Sequence, residues 1–477
     1  MDEVPQEIAN EILSHVAVEG TDAVLTLLSC ARVSTKFHAA ATSHIYRKIK
    51  VHFFSLSERH RDFNSGSVRD GHQAQKRVKQ LASSFRAKPS LGSLVERFTL
   101  CLVAQPAAPI FSKDDCPLVT APDDPTLIND LILILSSLDG PLSYLKFYTN
   151  DGECSRSSAP LQVASNWAVS NTELTTQILR LCNLPTLRTL HLTSFTLPCF
   201  AWIHNPNIGT LSLDEFNLPY SIHLQSRSEL VPQGWRAVQQ EWESSGTLWK
   251  KKTVGRGVQH IMVRSRTKME PIGVLLDAYP TLFDGLITAT LAVGFPFIAE
   301  MPDKWLLPLF KHSSGTLGEL SLIFGCSTIG GVSNHFMESS SIKLTCLKIL
   351  RLSIGIDDPV QRNATALGSR IVSIFDYFIQ NTGGALKEAI LIIEDNVVHV
   401  TRGGDHNQAC ILLHALLWWL DGRLHLPGLK KLTIKVRHGT GADDPMCGML
   451  REDPSIFLGL KQDIGDFTFT FQDRSSQ

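Results

Sequence analysis

The chain has 477 residues and a mass of 52.8 kDa, with 43% apolar residues, 19% charged residues and a formal net charge of -1. Its length exceeds a single compact core and fits two or three domains or one elongated repeat array. The balanced charge excludes a global field that would draw in nucleic acid or an anionic membrane, and the apolar content excludes a disordered chain.

The opening, Met1-Asp2-Glu3-Val4-Pro5, is acidic and has none of the basic-then-apolar layout of a secretory leader. The longest apolar runs, 286–299 (interrupted by Pro296) and 409–420, fall short of the roughly 18–20 residues that cross a bilayer. Ten scattered cysteines form no Cys-x-x-Cys pair and have no histidine at zinc-finger spacing. They read as reduced, mostly buried thiols, so a cytosolic or nuclear protein without a metal or other cofactor is expected.

In chain order, the first fifty residues predict three short helices. Ile8, Ile12, Leu13 and Val16 are expected on one helical face after Pro5, a tolerated first-turn proline. Gly20-Thr21-Asp22 breaks that helix, and Val24, Leu27, Leu28 and Ala31 mark the second. Ser34 is a candidate N-cap for a third, which carries Phe37, Ala41, His44 and Ile45. Residues 55–89 turn polar and basic, with a helix expected around 75–85.

Beyond residue 90 the chain repeats. Pro185-Thr-Leu187-Arg-Thr-Leu190-His-Leu192 recurs 21 residues later as Pro206-Asn-Ile208-Gly-Thr-Leu211-Ser-Leu213. The kernel is an apolar residue followed by others three and five positions on, the last two forming one face of a short strand. It also occurs at Val95/Phe98/Leu100, Leu142/Leu145/Phe147, Leu317/Leu320/Leu322, Leu347/Leu350/Leu352, Leu386/Ala389/Leu391, Leu429/Leu432/Ile434 and Ile464/Phe467/Phe469. Helical patterns at 127–138, 174–182, 371–380 and 409–420 separate several kernels. A strand-then-helix unit repeated in this way predicts a parallel sheet built as a solenoid, since no unit buries its apolar face alone. Phe195 and Phe216 stand where leucine-rich repeats commonly carry asparagine, which predicts an aromatic stack in place of an asparagine ladder. Residues 220–279 read as a protruding basic insertion, with seven basic and no acidic residues from Trp249 to Lys268.

The N-terminal segment resembles an F-box. Val4-Pro5-Gln6-Glu7-Ile8 is similar to its Leu-Pro-x-Glu-Ile opening, and Leu27-Leu28-Ser29-Cys30-Ala31-Arg32-Val33-Ser34-Thr35-Lys36-Phe37 to its Leu-x-x-Cys-x-x-Val-Ser stretch. The tail Ile45-Tyr46-Arg47-Lys48-Ile49 is similar to the end seen in fungal F-box proteins. The resemblance covers about a tenth of the chain. Together with the repeated kernels it gives the expected α/β organisation: a three-helix F-box (1–54), a linker and helix (55–89), a leucine-rich-repeat-like solenoid (90–219 and 280–477) and the basic insertion (220–279) between its parts. It also implies a substrate receptor of a Skp–cullin–F-box ubiquitin ligase, with a Skp-type adaptor, a cullin beyond it and a protein substrate as partners. Adaptor contact is carried onto Val4, Pro5, Ile8, Ile12, Leu27, Leu28, Val33 and Phe37, of which Ile12 and Leu28 look most core-like. A small helical unit that cannot close its own core would expose such residues to a helical partner. The alternative is a repeat scaffold with a degenerate F-box and no ligase role.

Catalytic motifs are not found. His60-Arg61-Asp62 lacks the kinase spacing around it, Gly255-Arg256-Gly257 lacks a third glycine, and no phosphate loop or nucleophile elbow occurs. The acidic pairs at 123–124, 357–358 and 443–444 precede prolines, which is turn chemistry. Binding rather than catalysis is therefore expected, with Lys250, Lys251 and Lys252 available to clamp an acidic substrate segment and nucleic acid not favoured.

Overall fold

The computed structural model describes residues 4–17, 23–54, 65–103, 125–150, 172–193, 205–214, 257–265, 276, 280–293, 306–325, 329, 342–356, 363–395, 406–438 and 464–473. The chain is mixed α/β and divides into two compact units, one of residues 1–208 and 217–255, the other of 209–216 and 256–477. Every paired strand is parallel to its partner, and strand order follows chain order in each unit. Among the described residues no helix is long and apolar enough to cross a membrane.

The first unit opens with helices α1 (Gln6–Val16), α2 (Ala23–Cys30) and α3 (Thr35–Arg47). Ser34 caps α3 by accepting the Phe37 N–H at 3.3 Å. The helices close on a small core of Ala9, Leu13, Leu27, Ala40 and Ala41, flanked by half-buried Val16, Phe37 and Ile45. Lys36 Nζ donates to the Val4 carbonyl at 3.0 Å and Gln6 Nε2 to the Lys36 carbonyl at 3.2 Å, pinning the start of α1 to the start of α3.

The third helix ends at Arg47, and the segment 1–54, expected to be wholly helical, closes with a strand. The alternation Ile49-x-Val51-x-Phe53 has period two, and it forms strand β1 (Lys48–Phe54), which pairs with β2 (Arg97–Val103). β3 (Tyr144–Asn150) and β4 (Thr189–Thr193) follow. Helix α4 (Ser65–Ala87) lies between β1 and β2, α5 (Pro125–Ser136) between β2 and β3, and α6 (Thr172–Cys182) between β3 and β4.

The second unit holds β5 (Thr210–Asp214), β6 (His260–Ser265), β7 (Thr288–Val293), β8 (Glu319–Gly325), β9 (Ile349–Ile356), β10 (Glu388–Asp395), β11 (Lys431–His438) and β12 (Asp466–Asp473). Its helices are α7 (Leu306–Ser313), α8 (Ala364–Thr382) and α9 (His406–Arg423). Strand β6 falls inside the stretch read as a protruding insertion. Val258, Ile261 and Val263 repeat the apolar kernel there, and each is 3% exposed. Trp235, Trp242, Lys250, Lys251, Lys252, Phe195 and Phe216 lie outside the described residues.

Two backbone devices recur. The leading residue of most kernels donates its N–H three positions back, as in Val95 to Gly92, Leu187 to Leu184, Leu286 to Phe283, Leu347 to Leu344 and Leu429 to Leu426. Just before most strands, one carbonyl accepts two N–H groups from the next repeat. Glu96 O takes Ser143 and Tyr144, Ser143 O takes Arg188 and Thr189, and Gln259, Ile287, Gly318, Lys348 and Lys387 act alike in the second unit. This ladder satisfies at the strand entry groups that burial would otherwise leave unpaired.

Candidate functional site

The three-helix unit turns two kinds of apolar residue in opposite directions. On α1, Ala9 and Leu13 point inward, while Pro5, Ile8 and Ile12 share the outward face at three- and four-residue spacing. Ile8 and Ile12 are each 45% exposed, and Leu28 and Val33 are comparably open. Val24 and Leu25, which the resemblance did not single out, are more exposed still. Leu27 is buried at 3% and serves the core, so its side chain is not presented to a partner. Ile12 and Leu28, expected to be the most core-like, are surface residues. Phe37 packs half-buried against the core, and Val4 is half-buried. Ile8, Ile12, Val24, Leu25, Leu28 and Val33 are six of the eight large apolar side chains exposed among the described residues.

A second feature lies on the sheet of the first unit. Alternate residues of β1–β4 carry the kernel into the core, which leaves the intervening ones on the other face. Register aligns these in rows: Lys48, Arg97, Tyr144 and Thr189; then Lys50, Thr99, Lys146 and His191; then His52, Cys101, Tyr148 and Thr193. This face carries four formal positive charges, Lys48, Lys50, Arg97 and Lys146, and no Asp or Glu. Three of the four cations are held over aromatic rings. The Arg97 guanidinium lies 4.6 Å from the Tyr144 centroid, and Lys146 and Lys50 lie 5.0 Å and 5.8 Å from that of Tyr148. Tyr144 and His191 pack ring to ring at 5.0 Å.

Titration keeps this face free of negative charge. Burial, and then a hydrogen bond with Cys101, raises the Tyr148 phenol, and burial raises the Cys101 thiol and the Tyr144 phenol. Burial, then Lys146 and Arg97, lowers His191, while burial, then Lys50 and Arg77, lowers His52. Near neutral pH the two imidazoles are uncharged, and the lysines and Arg97 set the potential. An open cleft along β1 and α4 has a mixed lining, with Lys48, Lys50, His52 and Arg77 beside the apolar Ile45, Ile49, Val51, Val78 and Leu81.

The equivalent face of the second unit is built differently. There Arg351 pairs with Glu319 at 2.9 Å, Lys431 with Glu388 at 3.3 Å and Arg437 with Glu394 at 2.9 Å, each across neighbouring strands. His260 Nδ1 meets the Thr288 hydroxyl at 2.8 Å.

Among the described residues no group of three or more His, Cys, Asp or Glu side chains could hold a metal ion. Cys30, Cys101, Cys182 and Cys346 are free thiols. His60-Arg61-Asp62 and the three acidic pairs lie outside the described residues. The cationic face was missed in the sequence because its residues come from four separated segments; the signal was there, in the positions between kernel residues. No protein-family model matches the chain, and no curated protein matches it significantly.

Proposed function

We propose that the chain is a substrate receptor of the Skp–cullin–F-box type, docking a Skp-type adaptor through its three N-terminal helices and a protein substrate through its strand array. The observation that carries this reading is the outward apolar surface of the helical unit. A domain with a five-residue buried core exposes Ile8, Ile12, Val24, Leu25, Leu28 and Val33, and apolar exposure concentrated in this way favours a partner surface. The adaptor contacts are accordingly Pro5, Ile8, Ile12, Leu28 and Val33, joined by Val24 and Leu25, with Val4 and Phe37 at the margin. Rate enhancement in such an assembly comes from holding substrate near the conjugating enzyme, so the chain needs no catalytic side chain of its own.

The test is co-expression with a Skp-type adaptor, beside a Pro5→Ala/Ile8→Asp variant. Both positions are exposed, so the variant keeps its fold, which circular dichroism checks. Co-purification of the parent and its loss in the variant support the reading. A folded parent that does not bind the adaptor removes it, leaving a repeat scaffold whose helices only cap the array.

A further inference from the structure

We propose that the open face of β1–β4 is a recognition surface for an extended acidic peptide, a run of Asp and Glu side chains within a protein partner. Three observations converge on it. First, the face is uniformly cationic: Lys48, Lys50, Arg97 and Lys146 lie in register on adjoining strands with no carboxylate among them. Second, the same molecule shows what a self-sufficient strand face looks like. In the second unit Arg351, Lys431 and Arg437 each have a cross-strand carboxylate, whereas no described carboxylate pairs with the four cations of the first. Third, the tyrosines keep their hydroxyls neutral and their rings occupied, which holds the cation heads in place and adds neutral donors beside them.

The occupied rings also decide the class of anion. A single-stranded nucleic acid binds through bases stacked on free aromatic faces as well as through phosphates. Here Arg97 and His191 pack on Tyr144, and Lys50 and Lys146 on Tyr148, so the face offers charge without a stacking platform. Lysine-rich surfaces bind as point charges, which suits carboxylates spread along a chain rather than the bidentate grip that arginine clusters give a phosphate. Neighbouring cations are set by a strand spacing of about 4.8 Å and a same-face repeat of about 6.8 Å. An extended peptide carries alternate side chains at that second interval, so Asp or Glu at every other position meets the rows in step.

The place of this surface in a ligase rests on the receptor reading above; peptide binding does not, and it is measured without adaptor. Fluorescence anisotropy of the full chain with a labelled ten-residue peptide of alternating Glu and Ser, at 50 mM NaCl, is expected to show saturable binding. The matched Gln–Ser peptide is expected not to bind. Lys50→Gln/Lys146→Gln is expected to weaken binding about fivefold to thirtyfold, and Lys431→Gln, on the paired face, to leave it unchanged. Raising NaCl to 300 mM weakens binding to the parent, a readout that needs no variant. Absence of binding, equal binding by the Gln–Ser peptide, an unaffected double variant, or displacement by an oligonucleotide at lower concentration than unlabelled acidic peptide would each overturn the proposal.

Discussion

Successive turns of the first unit meet backbone to backbone, and two glycines make this approach fit. Gly92 lies in the 3-10 turn Pro89–Leu94, and a Cβ added there would overlap the Ser137 carbonyl. Gly140 answers it from the other side: its added Cβ would stand 2.5 Å from both Cα and O of Ser93, against the 3.0 Å that real contacts observe. Gly140→Ala therefore demands that two turns separate by at least about 0.5 Å, and neither obstacle is a side chain that can rotate away. Overpacking of this kind costs about 1–3 kcal/mol, offset by about 0.4–1 kcal/mol from the stiffer unfolded chain. The net expectation is a loss of about 1–2 kcal/mol for Gly140→Ala, and more for Gly92→Ala. With a urea slope of about 2 kcal/mol/M, the Gly140→Ala midpoint of the first unit falls by about 0.5–1 M. Hydrogen exchange of the β2 and β3 amides assigns the change to that unit. Gly422→Ala is the control, because nothing lies within 4 Å of its added methyl and the position is helical; it should be neutral or stabilising. If Gly140→Ala unfolds no earlier than Gly422→Ala, the turns are not in the contact argued.

Three further outcomes follow from burial and hydrogen bonding. Leu13→Ala, at a fully buried position in a five-residue core, should cost about 2–5 kcal/mol, while the adjacent Ile12→Ala should stay within about 0.5 kcal/mol; equal losses in thermal unfolding would contradict the assigned faces. Asn205 donates to the carbonyls of Cys182 and Leu184, both at 2.9 Å, and accepts the Asn207 N–H at 3.0 Å, so Asn205→Ala should cost about 2–4 kcal/mol by orphaning buried groups; a urea midpoint shift below about 0.5 M would count against it. His191 and His52 have folded pKa values below the ordinary 6.5, so between those values the unfolded chain binds more protons and stability falls as pH drops through this window. Replacing both with Gln should flatten that dependence between pH 7 and 5.5; an unchanged slope in urea titrations would refute it.

Most strands were legible because their kernels are spelled in leucine, and those missed show what the pattern lacks. Val258/Ile261/Val263 is a full kernel, but its flanking arginines and lysines drew the segment into the supposed insertion. Leu286/Ala289/Leu291 opens the long apolar run 286–299, which hides its three-and-five spacing. β1 went unread within the segment 1–54, expected to be wholly helical, although the period-two run from Ile49 to Phe53 marks it. The three helices were legible, but not their orientation. Helical spacing fits both an Ile8/Ile12 row and an Ala9/Leu13/Val16 row, and the small methyl of Ala9 gives little weight to the row that is buried. The cationic face was beyond any single segment, since it exists only once register aligns β1, β2, β3 and β4.

The array separates what folds from what faces outward. Kernel residues fill the core and main-chain carbonyls join one repeat to the next, so the intervening strand positions carry little of the folding free energy and are free to hold unbalanced charge. That imbalance has a cost the second unit avoids. Lys50 and Lys146 sit two strands apart, about 9.6 Å, where like charges repel by about 0.4–1.7 kcal/mol over effective dielectrics of 80 to 20. The other cations add comparable increments. Salt removes this repulsion as the Debye length shrinks from about 30 Å at 0.01 M to 10 Å at 0.1 M. It also weakens the Arg47–Glu96 and Arg86–Asp130 pairs, but those are exposed and contribute little. Raising NaCl from 10 to 300 mM is therefore expected to stabilise β2–β4 against urea, and to leave β8–β11, with their paired charges, unchanged or slightly weaker. Amide exchange read strand by strand distinguishes the two units within one sample. A first unit that loses stability with salt as the second does would mean its lysines are already neutralised, and the case for an anionic partner on that face would fall with it.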